Sequence, residues 1–264
     1  MTGQSHSTEV PKKPRLSIIA PAHNEEGNVA LLVQEIEAAL EGTDFEVLIV
    51  DDASTDETPN HVLAMQESRP WLRLITLKKP AAGGGNGQSL AFKIGFAAAQ
   101  GDLVGSLDAD LQNDPKDFPR LLAELDRTNA DFVQGDRSAA RQKGDVFIRR
   151  FTSVIGRYFR RMILGDTIRD TGCSLRIMKR EIAVQLPLEY KGMHRFIPVT
   201  ARQLGYCVVE IEVTHRSRHA GEPKYGMGVA KRAIPGLIDC FAARWMRSRR
   251  RDGVGSVERT GDDS

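Results

Sequence analysis

The chain has 264 residues, and 37 Lys and Arg against 35 Asp and Glu leave a formal net charge of only +2; no overall field exists to hold a nucleic acid. That length suits one globular domain with a self-sufficient core and excludes two large ones. Three cysteines, Cys173, Cys207 and Cys240, lack metal-ligand spacing and read as reduced thiols of a cytosolic protein.

Residues 1–14, rich in Ser, Thr, Lys and Pro, contain no apolar run to serve as a signal-peptide core and read as a disordered tail. Leu16 to Ala20 is then an apolar strand, and Val29, Leu32, Val33, Ile36 and Leu40 recur at helical spacing. Phe45 to Val50 forms the next strand, and Ser54 with Glu57 predicts a capping box that opens a helix running to about Glu67. Arg73 to Leu77 is a third strand. A glycine-rich loop from Ala81 to Gly87 leads into a helix over Gln88 to Ala99, and Leu103 to Leu107 is a fourth strand. This alternation predicts an α/β fold, a Rossmann-like, mainly parallel sheet with helices on both faces.

Asp114-Pro115 supplies a capping side chain before a proline at the first helical position, so a helix starts there and turns Phe118, Leu121, Leu122 and Leu125 inward. After a short strand at Phe132-Val133 the alternation stops, and Val146 to Leu164 reads as a helix laced with five arginines. Short strands (Ser174 to Met178, Cys207 to Val213) and helices (Lys179 to Leu186, His194 to Leu204) follow and suggest the acceptor-binding half of the fold, ending near residue 228. From Val229 to Arg251, Ile234, Leu237, Ile238, Phe241 and Trp245 alternate with Lys and Arg as a basic amphipathic helix. Two readings of it stand open: it lies on anionic lipid, or it packs on the domain with a solvated basic face. Residues 252–264 read as a second tail. Asp239 and the Pro235-Gly236 pair interrupt the most apolar stretch, so the chain is expected not to cross a bilayer.

In an open parallel sheet ligands bind beyond the carboxyl ends of the strands, where the loops after the first, second and fourth strands converge. The fourth loop begins Asp108-Ala109-Asp110-Leu111-Gln112, two carboxylates and an amide spaced to face one hard cation. A bare Asp-x-Asp is most often a solvated acidic turn. Placed between a buried strand and a capped helix, it instead predicts Mg²⁺ or Mn²⁺ held by Asp108, Asp110 and Gln112 together with substrate phosphates.

Pro21-Ala22-His23-Asn24-Glu25-Glu26 follows the first strand and Val50-Asp51-Asp52-Ala53-Ser54-Thr55-Asp56 the second. With Asp108 to Pro115, these segments resemble family 2 glycosyltransferases, in the branch of dolichol-phosphate mannosyltransferase-like enzymes that use polyprenyl phosphates. The resemblance runs from about Leu16 to Gly228 and implies the GT-A fold. It implies a nucleotide held by Pro21, His23, Glu25 and Asp52, with Asp52 accepting from the base. Taken alone, Asp51 and Asp52 would equally serve as helix-capping charges, but Ser54 is read as the cap and one Asp is left over. The Gly83 to Gly87 run matches neither a dinucleotide fingerprint nor a P-loop and reads as a flexible loop; Lys93 reads as a solvated helix residue rather than a diphosphate contact.

Gly135-Asp136-Arg137 resembles the family position where an arginine faces both donor and acceptor phosphates. Asp170-Thr171-Gly172-Cys173-Ser174-Leu175-Arg176 resembles the acceptor-phosphate segment, which implicates Arg169 and Ser174, with Cys173 where relatives usually carry a hydroxyl. Arg218 to Gly226 resembles a mobile loop that closes on the donor diphosphate through Arg218 and Lys224, with a Pro at 223 in place of a common serine; closure of that kind excludes water.

The resemblance thus implies an inverting transfer of a hexose from a UDP- or GDP-sugar to polyprenyl or dolichyl phosphate, in which a phosphate acceptor needs no general base and the protein supplies position and charge stabilisation. Asp110 and Arg137 would stand closest to the chemistry. A peripheral enzyme on the cytosolic face of the membrane is expected, alone, as a homo-oligomer or beside a membrane-protein partner. Two alternatives remain: a soluble enzyme glycosylating a saccharide or protein hydroxyl, which needs a carboxylate base, and a non-catalytic sugar-nucleotide-binding scaffold.

Overall fold

The computed structural model describes residues 13–81, 83–139, 156, 158–217, 219 and 229–250. In chain order its strands are β1 (Leu16–Ala22), β2 (Phe45–Asp51), β3 (Leu72–Thr76), β4 (Leu103–Ser106), β5 (Phe132–Asp136), β6 (Arg176–Lys179) and β7 (Val208–Glu212). Its helices are α1 (Val29–Ala39), α2 (Thr58–Gln66), α3 (Gln88–Ala98), α4 (Phe118–Thr128), α5 (Arg180–Gln185), α6 (Ile197–Gln203) and α7 (Val229–Arg249), with single 3₁₀ turns at Pro115–Asp117 and Met193–Phe196.

The strands make one sheet in the order β3-β2-β1-β4-β6-β5-β7. β1 and β2 are apolar along almost their whole length because both of their faces are covered. On one face Leu16, Ile18, Val47 and Ile49 pack against α1, α2 and α4; on the other Ile19, Leu48 and Val50 meet α3, and Phe132 and Met178 meet α5 and α6. Gly95 lets α3 lie close: a Cβ there would stand 2.5 Å from Ile19 and 3.0 Å from Val50. β1 lies between β2 and β4 and pairs parallel with both. The loops leaving β1 and β4 therefore diverge, opening a crevice of the kind that binds ligands in such sheets.

Two features of the fold bear on the site. β6 runs antiparallel to both β4 and β5, so the sheet is parallel in the main but not throughout. Because β6 is reversed, its first residue lies at the exit ends of its neighbours: Arg176 pairs with Ser106, the last residue of β4, and with Gln134 near the end of β5. The segment 169–176 is thereby delivered to the same edge as Asp108 and Arg137. Second, the Ser54–Glu57 box does not cap α2, which begins only at Thr58. The Ser54 hydroxyl instead accepts from Asn24 N–H at 2.9 Å, and Asp56 takes the Thr58 N–H at 3.1 Å.

Of the predicted helix over Val146 to Leu164, residues 156 and 158–164 are described and are helical; the rest lies outside the described residues, as do the tails at 1–12 and 251–264.

Candidate active site

The loops after β1 and β2 are knitted to each other. Asn24 Oδ1 accepts from Thr55 N–H (2.8 Å), Glu25 N–H donates to Thr58 Oγ1 (2.8 Å), Glu26 N–H to Asp56 (3.1 Å) and Glu57 N–H back to Glu26 (3.0 Å). Such cross-bonding demands unusual backbone. Asn24, Ala53 and Leu111 adopt positive φ of 54°, 58° and 60°, one in each of the loops after β1, β2 and β4. Side-chain-bearing residues avoid this region unless their surroundings hold them there, as at binding sites. The remaining described non-glycine case, Asn129, ends α4 in the ordinary left-handed manner.

Of the residues expected to hold a nucleotide, Pro21 and Ala22 end β1 and His23 lies just beyond, its Nδ1 2.7 Å from the Asp52 carbonyl oxygen. Glu25 is buried and accepts from Asn28 Nδ2 at 2.7 Å. Asp52 has a second task. Its Oδ1 accepts from the backbone N–H and side-chain amide of Asn86 (2.7 and 3.0 Å), and its Oδ2 from Gly87 N–H (2.7 Å). The glycine-rich loop is thus anchored by Asp52, and Gly85 is required beside it, since a Cβ would fall 2.5 Å from Oδ2. A carboxylate accepts about four hydrogen bonds, so capacity for a nucleobase remains on Oδ2.

Beyond β4, Asp108 accepts from Gln88 at the start of α3, and Asp110 accepts from the Gln112 backbone N–H at 3.2 Å. Asp108 is partly and Asp110 almost wholly buried. Among the described residues no three His, Cys, Asp or Glu side chains gather into a complete metal cage. Asp108 and Asp110, two residues apart on one loop, nevertheless suit a hard cation such as Mg²⁺, which is commonly held by one or two carboxylates together with substrate phosphates. The loop is braced from the far side: Arg216 N–H donates to Gln112 O (2.9 Å), and its guanidinium pairs with Glu35 and Asp114 at 2.7 and 2.5 Å.

The facing wall carries the arginines. Arg137, just past β5, is buried and donates to Asp170 through Nε at 2.8 Å and Nη2 at 3.2 Å. Burial opposes its charge, yet Cys173, at the high pH where it ionises, and the carboxylates of Asp170 and Asp108 hold its pKa above the ordinary arginine value. Arg169 is mostly exposed and reaches Asp136 at 3.9 Å. Ser174 is buried, its hydroxyl accepting from Asn113 Nδ2 at 2.8 Å. Burial pushes the Cys173 thiol up to about 11, which keeps it neutral in its place among the acceptor-segment residues. Arg218 and Lys224 lie outside the described residues; Lys93, on α3, forms a surface pair with Glu189 at 2.8 Å.

Between these walls, beside α3 and the 3₁₀ turn at Met193–Phe196, lies a cavity of about 180 Å³. Asp108 and Gln88 line one side and Ser174 the other, so the carboxylate loop and the acceptor-type segment share one space.

The glycosyl transferase family 2 domain matches residues 17–186. The chain belongs to that family. Among curated proteins it is 35% identical over 247 residues to the dodecaprenyl-phosphate galacturonate synthase of Rhizobium johnstonii, covering 90% of this chain and 69% of that protein. It is 31% identical over 243 residues to the undecaprenyl-phosphate 4-deoxy-4-formamido-L-arabinose transferase of an Enterobacter species, covering 91% and 71%. Among solved structures, glucosyl-3-phosphoglycerate synthase from Mycobacterium tuberculosis in complex with UDP superposes with a TM-score of 0.64 at 19% identity, covering 92% and 83%. A mannosyltransferase from Pyrobaculum calidifontis in complex with GDP-mannose and Mn²⁺ gives 0.55 at 19%, covering 76% and 56%. These likenesses establish the fold, and the family establishes a glycosyltransferase.

Several site residues of this family 2 glycosyltransferase escaped the sequence reading. Gln88 opens the helix over Gln88 to Phe96, which resembles the family helix flanking the donor pocket; its side chain donates to Asp108, a contact that the sequence does not show. His194 and Arg195, on the 3₁₀ turn, line the cavity beside Arg176 of the segment already singled out. Ser89 Oγ accepts from the His194 backbone N–H at 3.2 Å and lies 2.9 Å from its Nδ1, so one hydroxyl fixes both the backbone and the ring. Burial, then the charges of Arg195 and Arg176, push the His194 pKa down to about 3.

Proposed function

We propose that the chain transfers a sugar from a nucleoside-diphosphate sugar to the phosphate of a polyprenyl phosphate, with inversion at the anomeric carbon, at the cytosolic surface of a membrane. The observation that carries this reading is the convergence of two phosphate-handling sets on one cavity: the Asp108–Asp110 loop from β4, and Ser174 with Arg176 delivered by the antiparallel β6. Relatives named for transfer to dodecaprenyl or undecaprenyl phosphate support the acceptor class.

In this reading Asp108 and Asp110, with Gln112 beside them, hold Mg²⁺ or Mn²⁺, which when bound stabilises charge on the departing diphosphate. Gln88 fixes the Asp108 carboxylate for that task. The first two loops hold the nucleotide, with Asp52 joining the base site to the glycine-rich loop. Arg137, made rigid by Asp170, and the exposed Arg169 gather the acceptor phosphate; Arg218 and Lys224 are assigned to the donor diphosphate. An ionised phosphate is already a nucleophile, so placing its oxygen opposite the leaving group is the main requirement and inversion follows.

The outer face of α7 supports a membrane-surface location. Among the described residues no helix is long and apolar enough to cross a membrane. Cys240 and Ala243 pack inward, whereas Ile238, Phe241 and Trp245 are each 61% exposed, amid Arg244, Arg247, Arg249 and Arg250. Aromatic residues and arginines on one face suit the boundary of an anionic bilayer.

The test is transfer of radiolabel from UDP- and GDP-sugars to polyprenyl phosphate in detergent with Mg²⁺ or Mn²⁺. Label should enter the organic phase, vanish with a chelator, and fall at least about a hundredfold in Asp110→Asn, the scale expected when one transition-state charge contact is lost. Label that passes only to a water-soluble acceptor would sink the lipid-phosphate assignment.

A further inference from the structure

The carboxylate loop after β4 turns through a strained residue. Leu111, between Asp110 and Gln112, has φ 60° while its side chain is buried in the core, a conformation a leucine keeps only where its neighbours over-determine it. Core packing pins the middle of the turn. Its far end is pinned by the segment that follows β7. Val213 N–H donates to the carbonyl of Asp136, beside Arg137, at 3.0 Å, and Thr214 N–H to Asp117 at 2.7 Å. His215 forms an antiparallel bridge with Asn113, and Arg216 N–H donates to the Gln112 carbonyl at 2.9 Å. Residues 213–216 are thus a strap from the arginine wall to the carboxylate loop.

The Arg216 side chain fastens that strap. Its Nη1 lies 2.7 Å from Glu35 on α1 and its Nη2 2.5 Å from Asp114, whose Oδ1 also takes the Lys116 N–H of the 3₁₀ turn at 3.0 Å. Fully exposed ion pairs hold little, but here the Arg216, Glu35 and Asp114 side chains are only 29, 24 and 13% exposed. Burial works against the charge of Arg216, and Asp114 and Glu35 outweigh it, so the guanidinium stays above the ordinary arginine pKa. Arg216 does not line the cavity that holds Asp108; it opens on a separate cleft with Leu31, Glu35 and Leu111. It therefore reaches the carboxylate loop from behind. We propose that Arg216 is a positioning residue for the cation, holding the Asp110-Leu111-Gln112 turn in its binding shape and so setting the loop's affinity for Mg²⁺ or Mn²⁺. The proposal rests on the metal reading given above and adds to it a residue outside the ligand set.

Metal binding can be read without turnover. Mn²⁺ is titrated into the full chain and followed by electron paramagnetic resonance, alone and with saturating UDP or GDP. Arg216→Met should weaken Mn²⁺ about ten- to a hundredfold, the usual cost of losing a group that orients a metal ligand. Arg216→Lys should recover part of the loss, since a lysine keeps the charge but cannot fork between two carboxylates. Glu35→Gln, on α1, should weaken Mn²⁺ in the same direction by less. A role confined to folding would lower the number of Mn²⁺ ions bound per chain and leave the affinity of the folded molecules as it was. Unchanged Mn²⁺ affinity in Arg216→Met overturns the proposal and leaves the metal reading standing, and if that variant does not fold, unchanged affinity in Glu35→Gln does the same. A lysine variant no better than the methionine one assigns the effect to packing, and the ion-pair account falls. A wild type that binds no Mn²⁺ under any of these conditions overturns both readings.

Discussion

In the part of the molecule built on β1 to β4, carboxylates are satisfied by backbone N–H groups: Asp52 by Asn86 and Gly87, Asp56 by Glu26 and Thr58, Asp51 by Ser54. Across β5 and β6 such backbone bonds, from Ser138, Ile168 and Gly172, are joined by guanidinium partners: Asp170 with Arg137, Asp166 with Arg160, and Asp136 with Arg169. Backbone partners freeze a loop into one shape, at the expense of the left-handed residues Asn24, Ala53 and Leu111. Guanidinium partners can be shared with an arriving phosphate or carboxylate, since both offer the same planar or tetrahedral oxygens. The first region is shaped in advance for its ligand, and the second holds exchangeable charge.

The largest expected effect tests that exchangeable charge. Asp170→Asn strips the buried partner from Arg137, and removal of one member of a buried ion pair costs about 3–5 kcal/mol. Urea unfolding should show that loss, and the double variant Asp170→Leu with Arg137→Met should recover most of it, because an apolar pair leaves no charge stranded. A single-variant loss below about 1 kcal/mol would mean that the pair is not held as described.

A smaller effect comes from His194, on the same side of the sheet. Its folded pKa of about 3 lies below the ordinary 6.5, so between those values the unfolded chain binds a proton that the folded chain refuses. Stability must therefore fall as pH drops from about 6.5 toward 3, with a slope of at most about 1.4 kcal/mol per pH unit from this group. His194→Gln should flatten the dependence of urea midpoint on pH between 7 and 5. Parallel curves for the two proteins would show that His194 charges freely.

The same division explains what could be read from the residues alone. β1, α1, β2, α3 and β4 announce themselves because strands buried on both faces become continuous apolar runs and their helices follow at a regular spacing. The Asp108–Asp110 pair stood out for the same reason, being polar at the end of such a run. The start of α2 was misplaced because Ser54 has two uses for one hydroxyl, and the bond across to Asn24 wins over the local cap. In the second region the decisive fact is a direction, β6 antiparallel beside β4, and a four-residue strand carries no mark of its direction. His194 accordingly reads as an ordinary helix residue in the sequence, and only the folded sheet places it, with Arg176, in one cavity with Asp108.

The smallest change in stability is expected on α7, where sequence left lipid contact and core packing as rivals. In the structure one side of the helix packs on the domain: Cys240 and Ala243 belong to the core, Arg244 donates to the Ile163 carbonyl at 2.7 Å, and Asp239 lies against Gly192 and Arg195. Phe241 and Trp245 lie on the exposed side. Replacing both with Ser should shift unfolding stability by no more than about 0.5 kcal/mol each, as for other surface positions. Sedimentation with vesicles containing phosphatidylglycerol should respond differently: the wild type co-sediments, less so as salt screens the arginines, and the double variant stays in solution. If the variant sediments as well as the wild type, the aromatic face does not touch lipid and the basic residues alone attract the vesicle. If instead it unfolds readily, Phe241 and Trp245 are core residues, and the boundary drawn along α7 is in the wrong place.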